Sequence, residues 1–61
     1  MKNFRIYANK QGWELVTIKR TMKETNQVIR ILEDNKVSSI LVVEHDTELN
    51  KDEIVYQKIK R

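Results

Sequence analysis

The 61 residues predict an α+β domain of two layers, one helix packed on a small sheet in the order β-β-α-β-β. Three features of the sequence carry this expectation. One glycine is placed to turn an extended segment back on its neighbour. One stretch has helical spacing and opens with a capping pair, and two runs after it have strand character, separated by a polar loop.

The first element pair rests on Asn9-Lys10-Gln11-Gly12, which suits a type I turn followed by a residue of positive φ that glycine adopts without a Cβ penalty. Placing Asn9 opposite Gly12 sets Ala8 beside Trp13, Ile6 beside Leu15 and Phe4 beside Thr17. The other face then holds Tyr7 with Glu14, Arg5 with Val16 and Asn3 with Ile18. One face is nearly all apolar and the other mixed, as a sheet with one buried side requires.

Thr21 followed by Glu24 fits a capping box, and Met22, Thr25, Val28, Ile29 and Leu32 recur at helical spacing behind it. The helix is expected to stop near Asn35, a residue that tolerates the left-handed cap. Ile40 to Val43 is apolar without alternation, the pattern of a central strand covered on both sides or of a strand near an interface. His45 to Asp52 reads as a polar loop. Ile54 to Ile59 reads as a last strand, with a short helix as the alternative. The expected core is Phe4, Ile6, Trp13, Leu15, Val28, Leu32, Leu41 and Val43. With no proline, one glycine and no repeat, residues 1–61 read as a single domain.

Composition narrows the function classes. A chain without cysteine has no disulfide, no thiolate metal ligand and no thiol nucleophile. A secreted domain this small normally carries staples, so a reducing, cytoplasmic location is expected. No apolar run approaches the ~18–20 residues of a membrane span, and no signal-type segment follows Met1, so no membrane partner is expected. The net charge of +3 is unevenly spread. Residues 1–30 carry Lys2, Arg5, Lys10, Lys19, Arg20, Lys23 and Arg30 against Glu14 and Glu24, whereas acids outnumber bases in the rest. A basic half suits phosphates or an acidic protein, and equally an ordinary solvated surface.

Candidate chemistry is sparse. Asp46, Glu48, Asn50 and Asp52 alternate like the first ligands of a calcium loop, but Lys51 stands where that motif needs glycine and Gln57 where it needs a bidentate glutamate. His45 is the only histidine, and a metal site needs several convergent ligands. Ser38 and Ser39 lack a nearby base or glycine elbow, and no glycine-rich loop exists to cradle phosphates. No catalytic residue, metal ligand, cofactor or small-molecule substrate is therefore expected.

Two stretches, Tyr7-Ala8-Asn9-Lys10-Gln11-Gly12-Trp13-Glu14-Leu15-Val16 and Leu32-Glu33-Asp34 with Val37 and Ile40-Leu41-Val42-Val43-Glu44-His45, resemble segments of serine recombinase catalytic domains of the resolvase and invertase type. The resemblance implies an alternative α/β fragment, α-β-α-β-α, in which residues 3–11 form a helix capped by Gly12. It does not extend to the catalytic groups. There is no room before Tyr7 for the strand bearing the family's nucleophilic serine. Where the family has an arginine, a leucine and a second arginine around the scissile phosphate, this chain has Glu48, Leu49 and Lys51, and a carboxylate there inverts the required charge. The resemblance thus implies a non-catalytic remnant or mimic from a phage or other mobile element.

The expected function is that of a non-enzymatic binding or modulator protein, a protein-interaction module working through Tyr7, Val16 and Ile18 on the outer hairpin face or through self-association. The alternative is a small nucleic-acid-binding protein using Arg5, Lys10, Lys19, Arg20 and Lys23, with Tyr7 as a stacking ring.

Overall fold

A computed structural model describes residues 1–59. Strand β1 (Lys2–Asn9) and strand β2 (Trp13–Lys19) form the first hairpin, helix α1 (Met22–Asp34) follows, and β3 (Ser39–Asp46) and β4 (Lys51–Ile59) form the second. The strands make one antiparallel sheet in the order β2-β1-β3-β4. The α+β class and the β-β-α-β-β order expected from the sequence are both present. Residues 2–9 are a strand, so the helix that the recombinase resemblance implies over residues 3–11 is not what the chain forms.

The period of two along β1 decides which side meets the helix. Phe4, Ile6 and Ala8 are buried with Ile40 and Val42 of β3, Ile29 and Leu32 of α1, and Val37 just beyond it. Val28 and Tyr56 pack against this cluster from the helix and from β4. Thr25 is fully buried among them, its hydroxyl donating to the Thr21 carbonyl at 2.8 Å, so no polar group is left orphaned there.

Both helix ends are built by local chemistry. Thr21 is the N-cap, its Oγ1 accepting from the Glu24 amide at 3.2 Å and donating to Glu24 Oε1 at 3.1 Å. At the other end the Lys36 amide donates to Glu33 O and the Val37 amide to Leu32 O, a Schellman arrangement sealed by apolar contact within the core. Asn35 is the C-cap, as expected, but its φ is −86°. The left-handed residue is Lys36, at φ 59°, one position later than the sequence suggested.

Four expected core residues lie elsewhere. Trp13 and Leu15 are 47% and 50% exposed, and Leu41 and Val43 are half-buried on the side away from the helix. The cause for β2 is one residue of register. Asn9 pairs with Trp13 rather than Gly12, so Ala8 meets Glu14 and Tyr7 meets Leu15. A one-residue slip exchanges the two faces of a strand. Gly12 does have positive φ, at 146°, and its amide donates to Asn9 Oδ1 at 3.1 Å, closing a three-residue loop. Ile6 then pairs with Thr17, which leaves Val16 as the unpaired residue of a bulge and returns Ile18 to the face opposite the helix, beside Arg5. For β3 the cause is its pairing with β1. Ile6 opposite Val42 and Ala8 opposite Ile40 place those two residues under the helix and turn Leu41 and Val43 away.

The segment read as a loop from His45 to Asp52 is half strand and half turn. Asp46 pairs with Lys51 around a four-residue turn in which Asn50 is left-handed at φ 52°. Asp46 Oδ1 accepts from the amides of Glu48 at 2.9 Å and Leu49 at 3.2 Å. The alternating acids are the chemistry of a turn.

Candidate functional site: the open face of the sheet

One helix covers one face of a sheet, and the opposite face here is also rich in apolar side chains. Cross-strand pairs arrange them in rows. Tyr7 lies between Leu15 and Leu41, and Arg5 lies between Ile18 and Val43, with Ile54 continuing that row on β4. Trp13 stands at the hairpin end opposite Asn9, and His45 with Asp52 at the other end. Ile18 and Ile54 are 49% and 56% exposed. An antiparallel sheet that leaves one side to water normally alternates apolar with polar residues, and this one does so only weakly.

The centre of the face is a depression of about 440 Å³, bordered by two aromatic residues of the first hairpin, Tyr7 and Trp13, by Arg5, and by Asp52 and Glu53 of β4. Arg5 forms no ion pair among the described residues, because β3 separates it from the acids of β4. Asp52 is instead engaged by His45 Nδ1 across the β3–β4 pair.

Two of the three residues singled out from the sequence as a protein interface, Tyr7 and Ile18, share this face. Val16 does not join them. As the bulged residue it lines a separate recess with Ala8, Lys10, Glu14 and Leu32 toward the helix layer, a recess that Leu15, on the edge strand, also borders. Trp13, Leu15, Leu41, Val43 and Ile54 are the residues of the face that sequence reasoning placed elsewhere or left out. The lack of polar alternation in Ile40–Val43 was the available signal, since a strand apolar on both sides needs cover on both.

The five basic residues considered for nucleic acid are dispersed. Arg5 is on the open face, Lys10 is in the turn after β1, and Lys19, Arg20 and Lys23 lie at the far end of β2 and the start of α1. Lys10 precedes β2 and Lys19 is its last residue, so the length of the strand, roughly 20 Å, lies between them. Lys19 pairs with Phe4 and so belongs to the helix side, opposite to Arg5. No continuous basic track results.

Elements of catalysis are likewise apart. Ser38 Oγ donates to the Asn9 carbonyl at 3.4 Å, and Ser39 is buried. Among the described residues no three His, Cys, Asp or Glu side chains are grouped as a metal site would need. No helix of the described residues is long and apolar enough to cross a membrane. Glu48 and Leu49, aligned by the recombinase resemblance with phosphate-holding positions, are in the β3–β4 turn, and Lys51 opens β4.

Comparison with protein-family models, with curated proteins and with solved structures found no match.

Proposed function

We propose that this chain is a non-enzymatic protein-interaction module whose working surface is the open face of the sheet. One observation supports the reading above the others. Trp13, Leu15, Ile18 and Ile54 are each about half exposed on a face whose centre is already apolar, and a patch of that extent on a small domain marks a surface that another protein covers. Tyr7, Trp13 and Arg5 are the residue types that anchor such contacts, being large and semi-rigid with a polar handle.

Nucleic acid is the less favoured occupant. The single cation of the face shares its depression with Asp52 and Glu53, and carboxylates repel the phosphates that supply most of nucleic-acid affinity. The other four basic residues do not reach this surface.

The reading is tested by capture. The wild-type chain, a Leu15→Lys variant and an Ile31→Lys variant serve as baits in an extract of the native cell. Wild type and Ile31→Lys, altered on the exposed side of the helix, should retain the same protein, and Leu15→Lys should not. Equal retention by all three contradicts the reading. So does salt-sensitive oligonucleotide binding at micromolar protein in a parallel titration.

A further inference from the structure

Taking the open face as a protein-binding surface, we infer that its occupant is a second copy of this chain, packed sheet against sheet in a two-fold dimer. Four observations converge on it.

The first is area. Four strands of seven to nine residues make a face of roughly 20 by 25 Å, or about 500 Å² of footprint. Two such faces remove at least about 1,000 Å² from water, the size at which specific protein interfaces begin.

The second is surplus surface. The chain exposes 4812 Å² at a mass of 7.3 kDa, whereas folded monomers of that mass expose roughly 4,200 Å². The surplus is comparable to the footprint of the open face. A domain of this length is also short of core, and burying a second apolar face is the route open to a chain without disulfides.

The third is self-complementarity. An isologous interface must supply both halves of every contact from one surface. The face carries Arg5, without an ion pair among the described residues, together with Asp52 on a strand too distant to neutralise it within the chain. A facing copy brings carboxylates to the guanidinium and aromatic rings over which it can stack.

The fourth is the state of the edges. Both edge strands are bulged, β2 at Val16 and β4 at Val55, which pairs with nothing between Val42–Tyr56 and Val43–Ile54. Bulged edges resist the strand pairing that would join two sheets side by side. Of the ways this sheet can meet its copy, the flat face is the unprotected one.

The sole tryptophan of the chain reports on the arrangement, because Trp13 lies on this face and is 47% exposed in the single chain. Sedimentation equilibrium is combined with acrylamide quenching of Trp13 over a dilution series. The expected result is a dimer at high micromolar protein, with Trp13 shielded from quencher and becoming accessible as dilution releases monomer. Leu15→Lys and, independently, Ile54→Lys should weaken association on the order of tenfold or more. Helical and strand circular dichroism confirms that each variant is folded, and Ile31→Lys should leave the dimer intact. A folded monomer at several hundred micromolar overturns the inference. A dimer in which Trp13 stays fully quenchable, or which both face variants leave untouched, overturns it equally. The broader reading falls separately, if wild type and Leu15→Lys also behave alike in the capture comparison or if the chain binds oligonucleotides in a salt-sensitive way.

Discussion

Tyr7 of β1 pairs with Leu15 of β2, while Ile6 beside it pairs with Thr17. Val16 lies between them with no partner. That single unpaired residue lets β2 present Trp13, Leu15 and Ile18 to the same side of the sheet although the spacing between the last two is odd. The open face exists in its present form because of it.

Truncations on the two sides of the sheet should therefore differ sharply. Ile6 is fully buried under the helix, and Ile6→Ala should cost about 2–5 kcal/mol. For a domain of this length, whose total stability is roughly 3–9 kcal/mol, that approaches unfolding. Leu15 is 50% exposed, and Leu15→Ala should cost about 1 kcal/mol when measured at low micromolar protein. Urea denaturation of both variants checks the contrast, and comparable losses would place Leu15 in the core.

The helix end offers a gain in stability. Lys36 occupies a left-handed conformation at φ 59°, which costs a residue with a Cβ about 1 kcal/mol that glycine is spared. Lys36→Gly should raise stability by about 0.5–1 kcal/mol, the greater freedom of glycine in the unfolded chain offsetting part of the benefit. Thermal melts of the variant should move upward, and a lowered midpoint would argue against the Schellman geometry.

How much of this was legible beforehand depended on the range of the interactions involved. The split of β1 into Phe4, Ile6 and Ala8 against Arg5 and Tyr7 follows from alternation alone, and the N-cap at Thr21 from a local pair. The β2 assignment turned on one residue of register, Asn9 pairing with Trp13 rather than with Gly12. Glu14 between Trp13 and Leu15 suggests by alternation that the two apolar residues face the core, whereas its pairing with Ala8 puts Glu14 itself in the helix-side row, at the exposed edge of the sheet. In Ile40–Val43 the choice of inner residues was made by pairing with β1, some thirty residues away, which no local pattern records. The same limit applies to the site. Tyr7 and Ile18 could be read on one face, but the scattering of Lys10, Lys19, Arg20 and Lys23 depends on where strands end.

Acid should weaken the second hairpin through Asp46. Amide donation from Leu49, and secondarily from Glu48, holds its carboxyl below the ordinary value of 3.8. A depressed folded value means that the stabilisation is complete above the unfolded value and is lost as pH falls through the folded one. As pH falls below the ordinary value of 3.8, wild type should lose stability more steeply than Asp46→Asn, which keeps an acceptor but cannot titrate. Denaturant midpoints collected through that window test this, and parallel curves would remove Asp46 as the cause.

Asn3 is the converse case, a polar group without return. Its side-chain oxygen is buried and accepts no hydrogen bond, on a central strand where β-branched residues pack well. Asn3→Val should stabilise the domain by about 1 kcal/mol. Equilibrium unfolding decides it, and a loss of stability would show that the amide has a role in the fold.

The placement of Trp13 on the side of the sheet away from the helix can be observed most directly by nuclear Overhauser effects from its indole ring. Cross-peaks to the ring of Tyr7 and the methyl groups of Leu41, which form the neighbouring row of the same face and border the same depression, are expected. Cross-peaks to Ile29 and Leu32 of the helix instead would put the ring in the core, and the surface assigned to a second copy would not exist.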